Sequence, residues 1–167
     1  MDGKKTRMAA GALVVSAAAL VGIANREKFM PVAYQDSGGV WTVGYGETKG
    51  VKKGDKITPE RALIQLNNSV SQYERQIKAC LGDVPLYQHE FDAYIELAYN
   101  VGAIAVCKSS IPRKLKAGNY AEACKTILSF DKIKIKGNLV SCYDPKNNCR
   151  GIIKDRKRLY NVCINGY

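Results

Sequence analysis

Residues 26–48 read REKFMPVAYQDSGGVWTVGYGET, and the reading of this stretch decides the fold. Between Val32 and Gly46 it is rich in Gly, Val, Tyr and Trp, a composition of short strands. Asp36-Ser37-Gly38-Gly39 interrupts it with a turn signature, so a hairpin is expected. Glu27 precedes the first strand, Asp36 sits nine residues on at the turn, and Thr42 follows six residues later on the returning strand. A helix carrying Glu27 against such a hairpin would give two carboxylates unlike surroundings. One could stay protonated and donate to a leaving oxygen while the other stays ionised beside water, the division of labour that glycoside hydrolysis needs. Spacing by itself leaves the ordinary alternative open, that both are solvated surface groups.

Downstream, Thr58-Pro59-Glu60 reads as a helix start: a capping hydroxyl, a proline at the first position and an acid in the first turn. Leu63, Leu66, Val70, Tyr73 and Ile77 follow at steps of three and four, which predicts one buried helical face. A second helix is expected over 86–101, stopped by Gly102, and short ones over 112–117 and 120–129. Ile133 and Ile135 alternate with Lys132, Lys134 and Lys136 as in a half-exposed strand. A turn over 144–148 and a last helix over 151–163 complete the chain. The class expected is α+β, mainly helical, with a small antiparallel β segment near the start of the body.

Upstream, Lys4, Lys5 and Arg7 precede an uncharged run, MAAGALVVSAAALVGIAN, over residues 8–25. As a helix its 18 residues would reach about 27 Å, just short of a ~30 Å hydrocarbon core. The positive flank would stay cytoplasmic and the rest would be exported. Seven of the 18 residues are Ala and two are Gly, so insertion is favourable but weak. A cleaved signal peptide, a permanent anchor and an anchor able to leave the bilayer are all compatible with it.

The chain has 167 residues, 46% of them hydrophobic and 25% charged, which excludes bulk disorder, a collagen repeat and a coiled-coil rod. A formal charge of +11 favours a polyanionic partner: nucleic acid, an anionic membrane or an anionic wall. Basic residues are spread along the chain, and no RNP-like strand or helix-turn-helix signature accompanies them, so no nucleic-acid partner is expected. The six cysteines form no C-x-x-C pair, and the single histidine, His89, reads as a helix-surface polar residue. Neither a metal nor a cofactor is expected; disulfides of an oxidising compartment are, with buried cytosolic thiols as the alternative.

The opening stretch resembles the catalytic segment of the phage-type lysozymes, glycoside hydrolase family 24. That family's pattern is Glu-Gly, then A-Y-x-D, then G-x-x-T-I-G-Y-G-H-T. Here stand Glu27-Lys28, Ala33-Tyr34-Gln35-Asp36, and Val40-Trp41-Thr42-Val43-Gly44-Tyr45-Gly46-Glu47-Thr48. The similarity continues through Phe91-Asp92-Ala93 to Tyr99-Asn100-Val101-Gly102, through Ser109 to Tyr120, and through Gly151 to Cys163. Departures are Lys28 for Gly, Glu47 for His, Phe130 for Trp, Asp155 for one of two arginines, and a variant segment over 132–148.

The resemblance implies a lysozyme-like fold, Glu27 as general acid, and Asp36 with Thr42 as the water-positioning pair. It implies peptidoglycan as substrate, cut at the β-1,4 bond between N-acetylmuramic acid and N-acetylglucosamine with inversion. The apolar run resembles the signal-anchor-release segments of some phage endolysins. That implies two regions, 1–25 as the segment and 26–167 as the catalytic domain. Such an endolysin would be a monomer exported by the host secretion machinery and tethered inactive on the periplasmic face of the inner membrane. It would then be freed into the periplasm, causing host lysis. A membrane-anchored, catalytically dead wall-binding or lysis accessory protein is the alternative. In this fold the helices bearing Cys124 and Cys163 should pack together; Cys142 and Cys149 flank a short turn, and Cys80 and Cys107 bracket the central helix. The expected pairs are therefore 80–107, 124–163 and 142–149, one of fifteen connectivities.

Overall fold

A computed structural model describes residues 6–36, 39–135 and 137–167. Lys4 and Lys5 of the basic flank, Ser37 and Gly38 of the turn, and Lys136 of the alternating strand lie outside the described residues. The elements run β1 (Met8–Ala9), α1 (Ala17–Glu27), β2 (Met30–Gln35), β3 (Trp41–Gly44), α2 (Pro59–Leu81), β4 (Pro85–Leu86), α3 (Gln88–Val101), α4 (Ala103–Lys108), α5 (Ile111–Lys116), α6 (Tyr120–Thr126), β5 (Lys132–Ile135), β6 (Asn138–Ser141) and α7 (Arg150–Asn165). The architecture is the expected one, helices with small antiparallel sheets. The chain divides into two compact units, Val15–Gln72 and the remainder on either side of it.

In the Val15–Gln72 unit, the Ser16 hydroxyl caps α1 by accepting from the Ala19 amide at 3.2 Å. Ala19 and Ile23 are the buried face of α1. β2 and β3 pair antiparallel, Tyr34 opposite Thr42 and Met30 opposite Gly44, with an irregularity between Met30 and Tyr34. On the other edge of β2, Ala33 N donates to Asp55 O at 2.8 Å and Ile57 N to Pro31 O at 3.0 Å. The α2 face follows the periodicity with Tyr73 half-buried, and departs from it at Leu63. Leu66, Val70 and Ile77 are buried, but Leu63 is 48% exposed and Ala62 is buried instead. The cause is a close approach: a Cβ on Gly44 would stand 3.1 Å from the Ala62 Cβ, so the sheet end fits only against a small side chain.

In the other unit α3 is the interior helix, buried at nine consecutive positions from Glu90 to Ala98. Burying its large apolar side chains, Phe91, Tyr94, Ile95 and Leu97, contributes about 1.5–3 kcal/mol each. Its buried acids carry partners, as burial demands. Glu96 accepts from Arg158 Nη2 at 2.7 Å and from the Tyr167 hydroxyl at 3.0 Å. Buried Arg156 donates to Phe130 O, Asp155 and Asn100 Oδ1. Gly102, at φ 85°, ends α3 where the sequence pattern places its end.

The disulfides are Cys80–Cys107, Cys124–Cys163 and Cys142–Cys149, the expected connectivity. His89 is half-buried and stacks on Tyr87 with ring centroids 5.4 Å apart.

The apolar run is not one helix here. Residues 8–9 are β1, antiparallel to β4 with Met8 opposite Leu86; Ala10–Ala12 is a 3₁₀ turn; helix begins only at Ala17. Ala10 and Leu13 are core residues, and Ala10 N donates to Val84 O at 2.9 Å. Among the described residues no helix is long and apolar enough to cross a membrane.

Candidate active site

The residues expected to carry chemistry all lie in the Val15–Gln72 unit. Glu27 is the last residue of α1 and is half-buried. The chain turns sharply after it, with Lys28 at φ 54° and ψ 136°, and enters β2 two residues later. Phe29 and Tyr45 pack their rings there, centroids 5.5 Å apart. Asp36 comes directly after β2, and Thr42 is the second residue of β3, 4% exposed.

The backbone of Val40 joins Asp36 to Thr42. Val40 N donates to Asp36 Oδ1 at 2.9 Å, while its carbonyl accepts from Asp36 N at 3.0 Å and from the Thr42 hydroxyl at 3.0 Å. One residue's backbone therefore fixes both the Asp36 and the Thr42 side chains. Because the Thr42 hydroxyl proton is committed to Val40, its oxygen can meet a third molecule only as an acceptor. In the chain β2 runs between Glu27 and Asp36, and its irregularity between Met30 and Tyr34 is of the kind that bends a strand.

Glu47 supports the arrangement in a way the sequence marks only as a departure from the family pattern. Val43 and Glu47 exchange both backbone hydrogen bonds, at 2.9 and 3.0 Å, closing a turn over Gly44-Tyr45-Gly46. Glu47 Oε1 then accepts from the amides of Thr48 and Lys49, and Oε2 accepts from the Ser69 hydroxyl on α2 at 3.1 Å. The side chain ties the turn behind β3 to a helix. Among the described residues no group of three or more His, Cys, Asp or Glu side chains is arranged to hold a metal.

The phage lysozyme family model matches residues 24–156. The SAR-endolysin of Pseudomonas phage phiKMV is 34% identical over 148 residues, covering 89% of this chain and 87% of its own. The endolysin of Acyrthosiphon pisum secondary endosymbiont phage 1 is 34% identical over 123 residues, 74% of this chain and 84% of its own. Among solved structures, an endolysin from Escherichia coli O157:H7 phage FAHEc1 superposes with a TM-score of 0.84 at 28% identity, covering 94% of this chain and 97% of that one. With the family match spanning the Glu27, Asp36 and Thr42 segment and most of the helical body, the chain belongs to the phage lysozyme family, glycosidases that cleave peptidoglycan.

Proposed function

We propose that the protein is a phage endolysin in which Glu27 protonates the leaving glycosidic oxygen and Asp36 with Thr42 holds the attacking water. The observation that carries this reading is the shared Val40 backbone, which orients a carboxylate and a hydroxyl acceptor together at one end of the hairpin. A water donating to both would have its lone pair turned outward for attack, while protonation by Glu27 makes the sugar oxygen a leaving group. Attack by water on the face opposite the leaving group inverts the anomeric carbon, so the first-formed product is the α anomer.

The same chain is held inactive on the inner membrane through residues 8–25 and exported with its body in the periplasm. The support is threefold: the basic flank, an uncharged run, and relatives named SAR-endolysin. The folded form uses the run differently, as β1, a 3₁₀ turn and α1, so spanning and folding exclude each other. Glu27 lies two residues beyond the run, and a displacement of about 1 Å at such a group already costs on the order of 100-fold in rate.

The test is hydrolysis of purified walls by the folded variants Glu27→Gln, Asp36→Asn and Thr42→Val. Glu27→Gln should lose at least roughly 100-fold, because an amide cannot donate the proton. A near-normal rate from that variant would remove the mechanism. The released, active chain should keep residues 1–24; an active chain beginning at Asn25 would show cleavage and remove the anchor while leaving the lysozyme assignment intact.

A further inference from the structure

Arg7 belongs to the basic flank, yet in the structure it is docked and half-buried. Its Nη2 donates to Glu90 Oε1 at 2.7 Å and its Nε to Glu90 Oε2 at 3.1 Å, a two-pronged pairing. The guanidinium carbon stands 4.2 Å from the centre of the Tyr87 ring and 3.7 Å from that of Tyr120. The Glu90 side chain is 5% exposed and also accepts from Tyr87 N at 2.8 Å, so it lies fixed in the first turn of α3. Tyr120 opens α6. Among the described residues Arg7 is the cation that pairs with Glu90. Removing it would leave the nearly buried Glu90 carboxylate without its cation, held only by the Tyr87 amide, a costly arrangement.

The residues after Arg7 continue the docking. Met8 pairs with Leu86, Ala10 and Leu13 enter the core, and the Val14 carbonyl accepts from Gln88 Nε2 at 2.7 Å. Arg7 thus belongs to a row of contacts that docks residues 7–14 within the unit containing α3.

We propose that Glu90, Tyr87 and Tyr120 form a receptor site for the guanidinium of the amino-terminal flank, empty while residues 8–25 lie in the membrane and filled on release. The proposal rests on the anchored-then-released reading of the chain. It assigns Arg7 different demands in the two states. Holding the flank on the cytoplasmic side requires only positive charge. Filling the receptor requires a planar fork that can pair twice with a carboxylate and lie against two rings, which lysine cannot supply. Arg7→Lys therefore separates the two roles, and Tyr120→Ala weakens the receptor with the flank untouched.

The experiment uses the full-length chain. Amide exchange over residues 8–14 is measured on the soluble enzyme, with thermal melting beside it, and the membrane-bound fraction is followed in expressing cells. Both variants should exchange faster over 8–14 by roughly tenfold and melt several degrees lower. Both should insert normally but remain membrane-bound for longer. Wild-type exchange and melting in both variants would overturn the receptor. Faster exchange with unchanged release would overturn its link to release. Failure to find wild-type chain in any membrane fraction would overturn the anchored reading itself, and the exchange result would still decide whether Arg7 holds the segment down.

Discussion

Lys28 shows how much one backbone angle can carry. It stands directly after Glu27 at φ 54°, a region in which a Cβ crowds the backbone, and the family pattern has glycine there. Lys28→Gly should relieve that crowding by about 1–2 kcal/mol, offset in part by the larger freedom of glycine in the unfolded chain. The expected net gain is roughly 0.5–1 kcal/mol in a urea melt, with Glu27 left in place; a loss would show that the lysine is comfortable at this angle. At this scale the sequence is legible where a motif is contiguous. Glu27, Asp36 and Thr42 stand out through the pattern around them, since carboxylate spacing carries little information. The tie through Val40 is a backbone property and leaves no side-chain signature. The partners of Arg7 lie 80 and more positions away, where no local pattern reports them.

Elements are readable in proportion to how local their causes are. The cap and proline at 58–60 fix the start of α2, and Gly102 fixes the end of α3, because each acts within a turn of the helix it bounds. β1 and β4 leave no such mark. Each is two residues long and exists only because the other is present, so Leu86, which the pattern assigns to helix, pairs as strand. α4 is hidden because it restarts immediately after Gly102. The placement of Leu63 fails for a packing reason, the approach of Gly44 to Ala62. That contact predicts a difference between two glycines of similar angle. Gly44, at φ 66°, faces the Ala62 Cβ, whereas Gly50, at φ 73°, has nothing within 4 Å of a built Cβ. Gly50→Ala should cost about 1 kcal/mol for the angle alone. Gly44→Ala should cost about 2–4 kcal/mol, adding the displacement of β3 from α2. Equal losses in denaturant melts would mean that α2 gives way without resistance.

For the molecule as a whole, the three disulfides close chain separations of 27, 39 and 7 residues. If they act mainly by restricting the unfolded chain, paired replacement by alanine should cost about 4 kcal/mol for Cys124–Cys163 and about 2 kcal/mol for Cys142–Cys149, with Cys80–Cys107 close to the first. A reversed order in equilibrium unfolding would show that local packing outweighs chain restriction. The division of the chain into units bears on timing. Residues 7–14 are made before Tyr73 and the residues after it, yet fold with them, Arg7 meeting Glu90 across 83 positions. Residues 7–14 can therefore dock only once the chain past Tyr120 is available to meet them. Closing so long a loop is slow compared with forming the helices around it. Until residues 7–14 dock, the edge of β4 that pairs with Met8 and Ala9 stands open. Residues 7–14 leave the ribosome ahead of their partners and are then among the last to find their places.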